Sequence, residues 1–205
     1  GFGSVQSEFV HDDLPLADVT AYSVDDISTT EIDDALSVRE IDDGWLEVGI
    51  HVAVPALGVT RDSELDRIAR DRMSTVYMPG EKIPMQPDGV IDSYSLFAGK
   101  PVPALSLYVQ AHPESGKVRQ YQTRLERVIL TNNLRHNELD AVITTETIEN
   151  NDSDLPYESW LRPLWKLSKA LSAVRDQRRG KPQRNDRVDY SFYVDGPADD
   201  PDSPV

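Results

Sequence analysis

Cysteine is absent from all 205 residues. That excludes disulfides and thiolate metal sites, and it suits a reducing compartment such as the cytoplasm. No apolar run approaches the roughly 20 residues of a membrane-spanning helix, so no membrane partner is expected. Positive charge is scarce: 21 Lys and Arg stand against 36 Asp and Glu, a formal net charge of −15. This balance weighs against a nucleic-acid partner, because phosphate binding draws on Lys and Arg and an acidic protein repels a polyanion. The objection lifts if the acidity is local to a cation site, or if basic surface comes from other segments. The opening residues, GFGSVQSEF, lack the basic and apolar regions of a secretory signal. They also lack an initiating Met, which leads to the expectation of a processed chain or a piece of a longer one.

What is present suits a globular fold with a real core: 39% apolar residues and three Trp. Residues 1–18 read as a lead-in segment, and 19–205 as one domain. Three stretches are β-favouring: Val19 to Val24, Ala35 to Val38, and Trp45 to Val52. Asp42-Asp43-Gly44 marks a hairpin turn between the last two. Ser63 to Arg70 opens a helix, with Asp62 or Ser63 as N-cap, that ends near Met73. Residues 79–103, rich in Pro and Gly, predict an extended loop. Strands follow at Ala104–Ala111 and Val118–Leu130, joined by a turn at His112 to Gly116. Thr144 to Pro156 reads as a mobile connector. Trp160, Leu164, Leu167, Leu171 and Val174 then form one stripe of an amphipathic helix that packs on the core. Val188 to Val194 reads as a further strand, and the last residues as an exposed turn. There is no internal repeat.

The chemistry concentrates in AYSVDDISTTEIDDAL, residues 21–36, where Asp25, Asp26, Glu31, Asp33 and Asp34 lie between two predicted strands. Carboxylates held 4–5 Å apart repel by roughly 3–4 kcal/mol per pair at an effective dielectric near 20. Proton uptake or a divalent cation relieves that repulsion. Carboxylates and hydroxyls favour a hard ion, Mg²⁺, Mn²⁺ or Ca²⁺, and the spacing is not that of an EF-hand. The bland alternative is a solvated turn in an acid-rich chain. Val24, Ile32, Ala35 and Leu36 argue against it, since Ile32 between Glu31 and Asp33 suggests a loop packed on a core.

SVDDISTTEIDDALSV, then GWLEVGIHVAVP, RDSELDRIARDRMSTVYMPGEKIPMQP and ALSLYV, occur in the order of the catalytic RNB domain of the ribonuclease II and ribonuclease R family, which the chain resembles over about residues 19–195. The resemblance implies an α+β fold, a mixed, mainly antiparallel sheet with packed helices. It also implies a hydrolytic 3′-to-5′ exoribonuclease that uses Mg²⁺, or Mn²⁺, to release nucleoside 5′-monophosphates from the single-stranded 3′ end of RNA. On that resemblance the metal ligands and catalytic acids fall on Asp25, Glu31, Asp33 and Asp34, with Asp33 most tied to hydrolysis. Asp26 receives no role beyond the surface or a turn. Tyr77, in VYMPG, matches a tyrosine that stacks on a nucleotide near the 3′ end, a contact any base can make. Without the resemblance, Tyr77 reads as core filler beside Met78.

Other residues read as structural. His51 alternates with apolar neighbours and has no partner at ligand spacing. Arg175, Arg178, Arg179, Lys181, Arg184 and Arg187 form the one basic cluster and suit a helix C-terminus better than RNA contact. Departures from the family pattern are Glu31 for Asp, Val54 for Asp, Val102 for Arg, and Asn132 for Tyr. They raise the rival expectation of a catalytically silent RNB-like module that binds RNA or regulates. A third reading is an interaction domain whose acids are merely solvated. Within the family this stretch would be the first part of the catalytic domain, with later RNB segments and RNA-gripping domains as partners in the same parent chain.

Overall fold

The computed structural model describes residues 11–78, 81–150 and 154–182. In chain order the elements are β1 (Ala21–Asp25), β2 (Asp34–Glu40), β3 (Leu46–Ala53), α1 (Glu64–Arg72), β4 (Val76–Met78), β5 (Glu81–Ile83), α2 (Asp88–Tyr94), β6 (Pro101–Ala111), β7 (Val118–Arg135), α3 (His136–Leu139), α4 (Thr145–Glu149) and α5 (Glu158–Arg179). They fall into two units, residues 11–54 with 94–182, and residues 55–93. The mixed α+β architecture with a mainly antiparallel sheet is the one expected.

In the larger unit, β1, β2, β3, β6 and β7 close into a barrel in that order. Neighbours are antiparallel except at the seam, where β1 runs parallel to β7 from Ala21 opposite Leu130 to Asp25 opposite Arg135. The hairpin from β2 to β3 turns where expected, with Asp43 and Gly44 both left-handed (φ 58° and 73°). The turn from β6 to β7 closes on His112 N–H donating to Lys117 O at 2.9 Å. Gly116, also left-handed, lies so close to Leu171 and Ala170 of α5 that a Cβ would meet them at 3.2–3.4 Å.

Side chains alternate in and out of the barrel with period two. At one end the interior is aliphatic: Ala21, Ala35, Val102, Ala104, Val128 and Leu130 pack with Ile32 and Leu96. Outside, α5 lays Leu164 and Leu167 over Leu46, Val48 and Ala111. Trp160 packs with Leu134 and Leu139, and its indole N–H donates to Leu36 O at 3.0 Å. The helical stripe seen in the sequence is therefore core packing. Ile50, Val52, Leu105, Leu125 and Ile129, on β3, β6 and β7, stay exposed. Residues 14–17 run along β7, with backbone hydrogen bonds between Ala17, Arg127 and Pro15.

Two segments differ from expectation. Residues 79–103 are not one long loop: they carry β5, α2 and the start of β6. The Pro and Gly signals there mark the ends of short elements. The segment 144–156 contains α4, held by a capping box between Thr144 and Thr147. Arg162 of α5, buried, donates to Ile148 O and Asn150 O at 2.6 and 2.7 Å, satisfying carbonyls at the end of α4. The expected strand at 188–194 and the tail lie outside the described residues, as do Arg184 and Arg187. Among the described residues, no helix is long and apolar enough to cross a membrane.

In the smaller unit, Ser63 caps α1 as expected by accepting from Asp66 N–H. β4 and β5 form a two-stranded hairpin. Thr75 Oγ1 accepts from Met85 N–H at 3.1 Å and Arg72 donates to Pro84 O at 2.7 Å, tying the hairpin base to α1.

Candidate functional site

The acidic loop begins at Asp25, the last residue of β1, and ends at Asp34, the first of β2. Three devices hold the backbone between them. Arg135, at the end of β7, donates to Asp26 O at 2.7 Å, while Thr29 N–H turns back to the same carbonyl at 3.0 Å. Ile32 is fully buried and its carbonyl accepts from Leu96 N–H at 2.9 Å. Asp33 O accepts from Ala53 N–H at 2.8 Å, just before the β2–β3 ladder starts at Asp34 opposite Val52. The expectation that Ile32 packs the loop on a core is met. This places the acids on a fixed frame at the barrel end that is filled with aliphatic side chains.

Asn133 reinforces that frame. Its amide donates to Ser23 Oγ and Leu96 O, both at 2.9 Å, and its carbonyl oxygen accepts from Ala98 N–H at 2.9 Å. One side chain thus links β7, β1 and the segment that clamps Ile32. Asn133 and Arg135 were missed in the sequence. The available signal was weak: a strand-breaking Asn and a lone Arg at the end of a β-favouring run.

The carboxylates are arranged unequally. Asp25 and Glu31 are half-buried, whereas Asp26, Asp33 and Asp34 are exposed. Asp25 Oδ2 is buried without a hydrogen-bond partner. A buried acceptor left unmatched costs roughly 1–3 kcal/mol, more if charged, so this atom calls for a donor or a cation. An all-oxygen donor set around it suits a hard divalent ion. Among the described residues, however, no three carboxylate or imidazole side chains converge as a ligand set. The donors fit a Mg²⁺-type ion in kind, with Asp25 in place and the exposed acids not drawn in around it. Asp26, given no role, has an exposed side chain and closes the turn through its carbonyl.

Tyr77 belongs to the smaller unit, at the centre of β4 opposite Lys82. Its side chain is 75% exposed, which overturns the reading of Tyr77 as core filler. Val102, by contrast, is fully buried in the aliphatic cluster. A valine there fills the barrel interior. Asn132 donates weakly to the Tyr157 hydroxyl at 3.4 Å.

His51 is structural, as expected, yet it is not surrounded by hydrocarbon. It is fully buried, with Nε2 2.9 Å from Ser37 Oγ and Nδ1 2.8 Å from Ser106 Oγ. Burial pushes its pKa down to about 4, and the nearby Glu126 carboxylate opposes that only in part. Glu126 accepts from the Tyr108 hydroxyl at 2.6 Å. Burial, then this bond to Glu126, raises the Tyr108 pKa beyond the ordinary phenol range.

Comparison with known proteins bears on this site. A model of the RNB domain matches residues 14–204. Exoribonuclease 2 of Vibrio vulnificus (strain YJ016) is 29% identical over 182 residues, 88% of this chain and 27% of the relative. The chain therefore spans about a quarter of the length of such a curated relative. Among solved structures, Mycoplasma genitalium RNase R in complex with double-stranded RNA matches with a TM-score of 0.69 and 22% identity, over 80% of this chain and 29% of the other. Yeast Ssd1, described as a pseudonuclease, matches with a TM-score of 0.65 and 22% identity, over 81% of this chain and 19% of the other. At that identity the shared property is the fold.

Proposed function

The chain belongs to the RNB family, and from that premise we propose that it is the N-terminal part of the catalytic domain of a Mg²⁺-dependent 3′-to-5′ exoribonuclease acting on single-stranded RNA ends. The observation that carries this reading is the buried, unmatched Oδ2 of Asp25 at the root of an acidic loop clamped by Ile32, Asn133 and Arg135. A rigid backbone under negatively charged side chains is what a site needs if the groups are to meet a reacting phosphate without reorganising.

Asp25, Glu31, Asp33 and Asp34 would hold the metal, Mg²⁺ or Mn²⁺. When bound, such an ion supplies charge neutralisation at the phosphoryl oxygens and a water made acidic enough to attack in line. The chain's own contribution is positional. Asp25 offers an acceptor at fixed depth. Asp33, anchored through its backbone to Ala53, holds its carboxylate in solvent where a scissile phosphate can reach it. Asp34 is fixed by the first rung of the β2–β3 ladder. Tyr77 presents an open aromatic face that stacks on a base of any identity, worth about 1–3 kcal/mol per base. The acidity of the chain is then local to the metal, with phosphate-gripping basic surface supplied by other domains of the parent protein.

In the whole protein, Asp33→Asn lowers release of nucleoside 5′-monophosphates from a single-stranded RNA by 100-fold or more while binding changes only a few-fold; turnover near the wild-type rate overturns the role of Asp33. Titration of the chain with millimolar Mn²⁺ raises the midpoint of thermal unfolding, because a ligand held only by the native state stabilises it. The rise disappears in Asp25→Asn. No rise in the wild type would mean that the acids are merely solvated.

One observation favours a second reading, a catalytically silent RNB-like module for RNA binding or regulation: the exposed acids do not converge with Asp25 among the described residues. Glu31 and Val54, as departures, point the same way. RNA binding by the whole protein with no metal-dependent cleavage decides for that module.

A further inference from the structure

At the barrel end opposite the acidic loop, a cavity of about 250 Å³ is lined by Asp18, Thr20, Ser37, Arg39, Glu47 and Tyr108. Its hydrogen-bonding character is set from within the barrel. The Tyr108 hydroxyl gives its one proton to Glu126 Oε1 at 2.6 Å. The Ser106 hydroxyl bonds the Tyr108 oxygen, and since Tyr108 has no proton left, Ser106 is the donor. Ser106 Oγ then accepts from His51 Nδ1–H across 2.8 Å. A neutral imidazole carries one N–H, so Nε2 is an acceptor, and Ser37 Oγ, 2.9 Å away, donates to it. Each group has one proton and each is assigned in turn, so the carboxylate at the far end fixes the direction of the whole chain.

The consequence falls on Ser37, which is 95% buried (relative exposure 5%) and lines the cavity. With its proton engaged by His51, it turns only lone pairs to the cavity. Around it stand further acceptors. Asp18 has no hydrogen bond or ion pair among the described residues, and Glu47 takes both Arg39 contacts, at 2.8 and 2.5 Å, on Oε1, leaving Oε2. Arg39 and Glu47 cancel in charge, so the wall carries the one uncompensated charge of Asp18.

We propose that this cavity is a binding site for the ammonium group of a small aliphatic amine, held by Asp18, Ser37 and the free oxygen of Glu47. An ammonium offers three donors and one positive charge, and has no acceptor to clash with these lone pairs. A carboxylate or phosphate would meet the opposite of what it needs. The site is separate from the acidic loop and stands whether or not the chain is part of a nuclease.

The test is titration of the ¹⁵N-labelled chain with methylammonium and, separately, with 1,4-diaminobutane, against a background of NaCl that screens diffuse attraction to an acidic surface. The expected result is one saturable set of amide shifts confined to residues 18–20, 37–39 and 47. Asp18→Asn weakens binding at least 10-fold, while Asp140→Asn, which removes the same charge elsewhere, leaves it unchanged. Equal affinity for the two amines assigns recognition to the ammonium alone; tighter diamine binding assigns part of it to the carbon chain and second charge. Ser37→Ala, checked by its melt to be folded, also weakens binding. Shifts that spread over the acidic surface without saturating, or an Asp18→Asn chain that binds like the wild type, overturn the proposal.

Discussion

The two ends of the barrel are built from opposite materials. Beneath the acidic loop the interior is aliphatic, and the carboxylates above it stand exposed or, at Asp25, unmatched. At the other end the interior is polar, and its buried acid is matched: Glu126 receives Tyr108, as Glu47 receives Arg39 nearer the surface. A carboxylate that serves only structure is given its partners from within the fold. One kept for chemistry is held in place by its backbone while its oxygens are left open. The difference between the ends thus separates structural from functional acids in a chain where composition alone does not.

The comparison is most severely tested at Ile32. Ile32→Ala removes a fully buried side chain from the aliphatic end, and urea unfolding should register a loss of about 4 kcal/mol. A loss below about 1 kcal/mol would mean that the loop is not seated on the barrel. The polar end responds to pH instead. His51 is held neutral in the fold, at about 4 against 6.5 for an ordinary histidine, so the unfolded chain binds the extra proton between those values. Stability contributed by the neutral ring is therefore full above pH 6.5 and falls as pH drops towards 4, by about 3 kcal/mol in all. Unfolding measured from pH 7 to 5 should show this slope in the wild type and lose it in His51→Gln, which separates histidine from the carboxylates that titrate lower. Next comes Arg135→Ala, expected to cost about 1–2 kcal/mol and to speed amide exchange at Asp26 to Thr29 more than elsewhere. Least affected is Arg39→Ala, whose guanidinium is mostly exposed; its ion pair with Glu47 contributes less than about 1 kcal/mol.

Much of the barrel was legible because its signals are local. The alternation in Trp45 to Val52, the Asp-Asp-Gly turn, Ser63 as a cap and the stripe from Trp160 each depend on neighbours a few residues away. The acidic loop was legible for the same reason, as five acids within ten positions bracketed by apolar residues. What escaped was assembled from distant parts. Asn133 and Arg135 act on groups more than 100 residues earlier in the chain, and no local pattern encodes that. α2 and α4 were hidden by polar and Pro-rich composition that also suits loops. The histidine network was half visible: His51 reads correctly as structural, but Ser37, Ser106, Tyr108 and Glu126 become its companions only once the strands close.

The parallel seam between β1 and β7 has a consequence for assembly. Arg135 reaches Asp26 across 109 positions of chain, and the ladder it completes is the last to be synthesised of all those in the barrel. While the polypeptide emerges from the ribosome, β1 waits with an open edge, and its acids have neither the Arg135 clamp nor the Asn133 tie. Contacts that must await so distant a partner form slowly. The order of synthesis thus keeps the destructive end of the molecule unassembled until the rest of the barrel is ready to receive it.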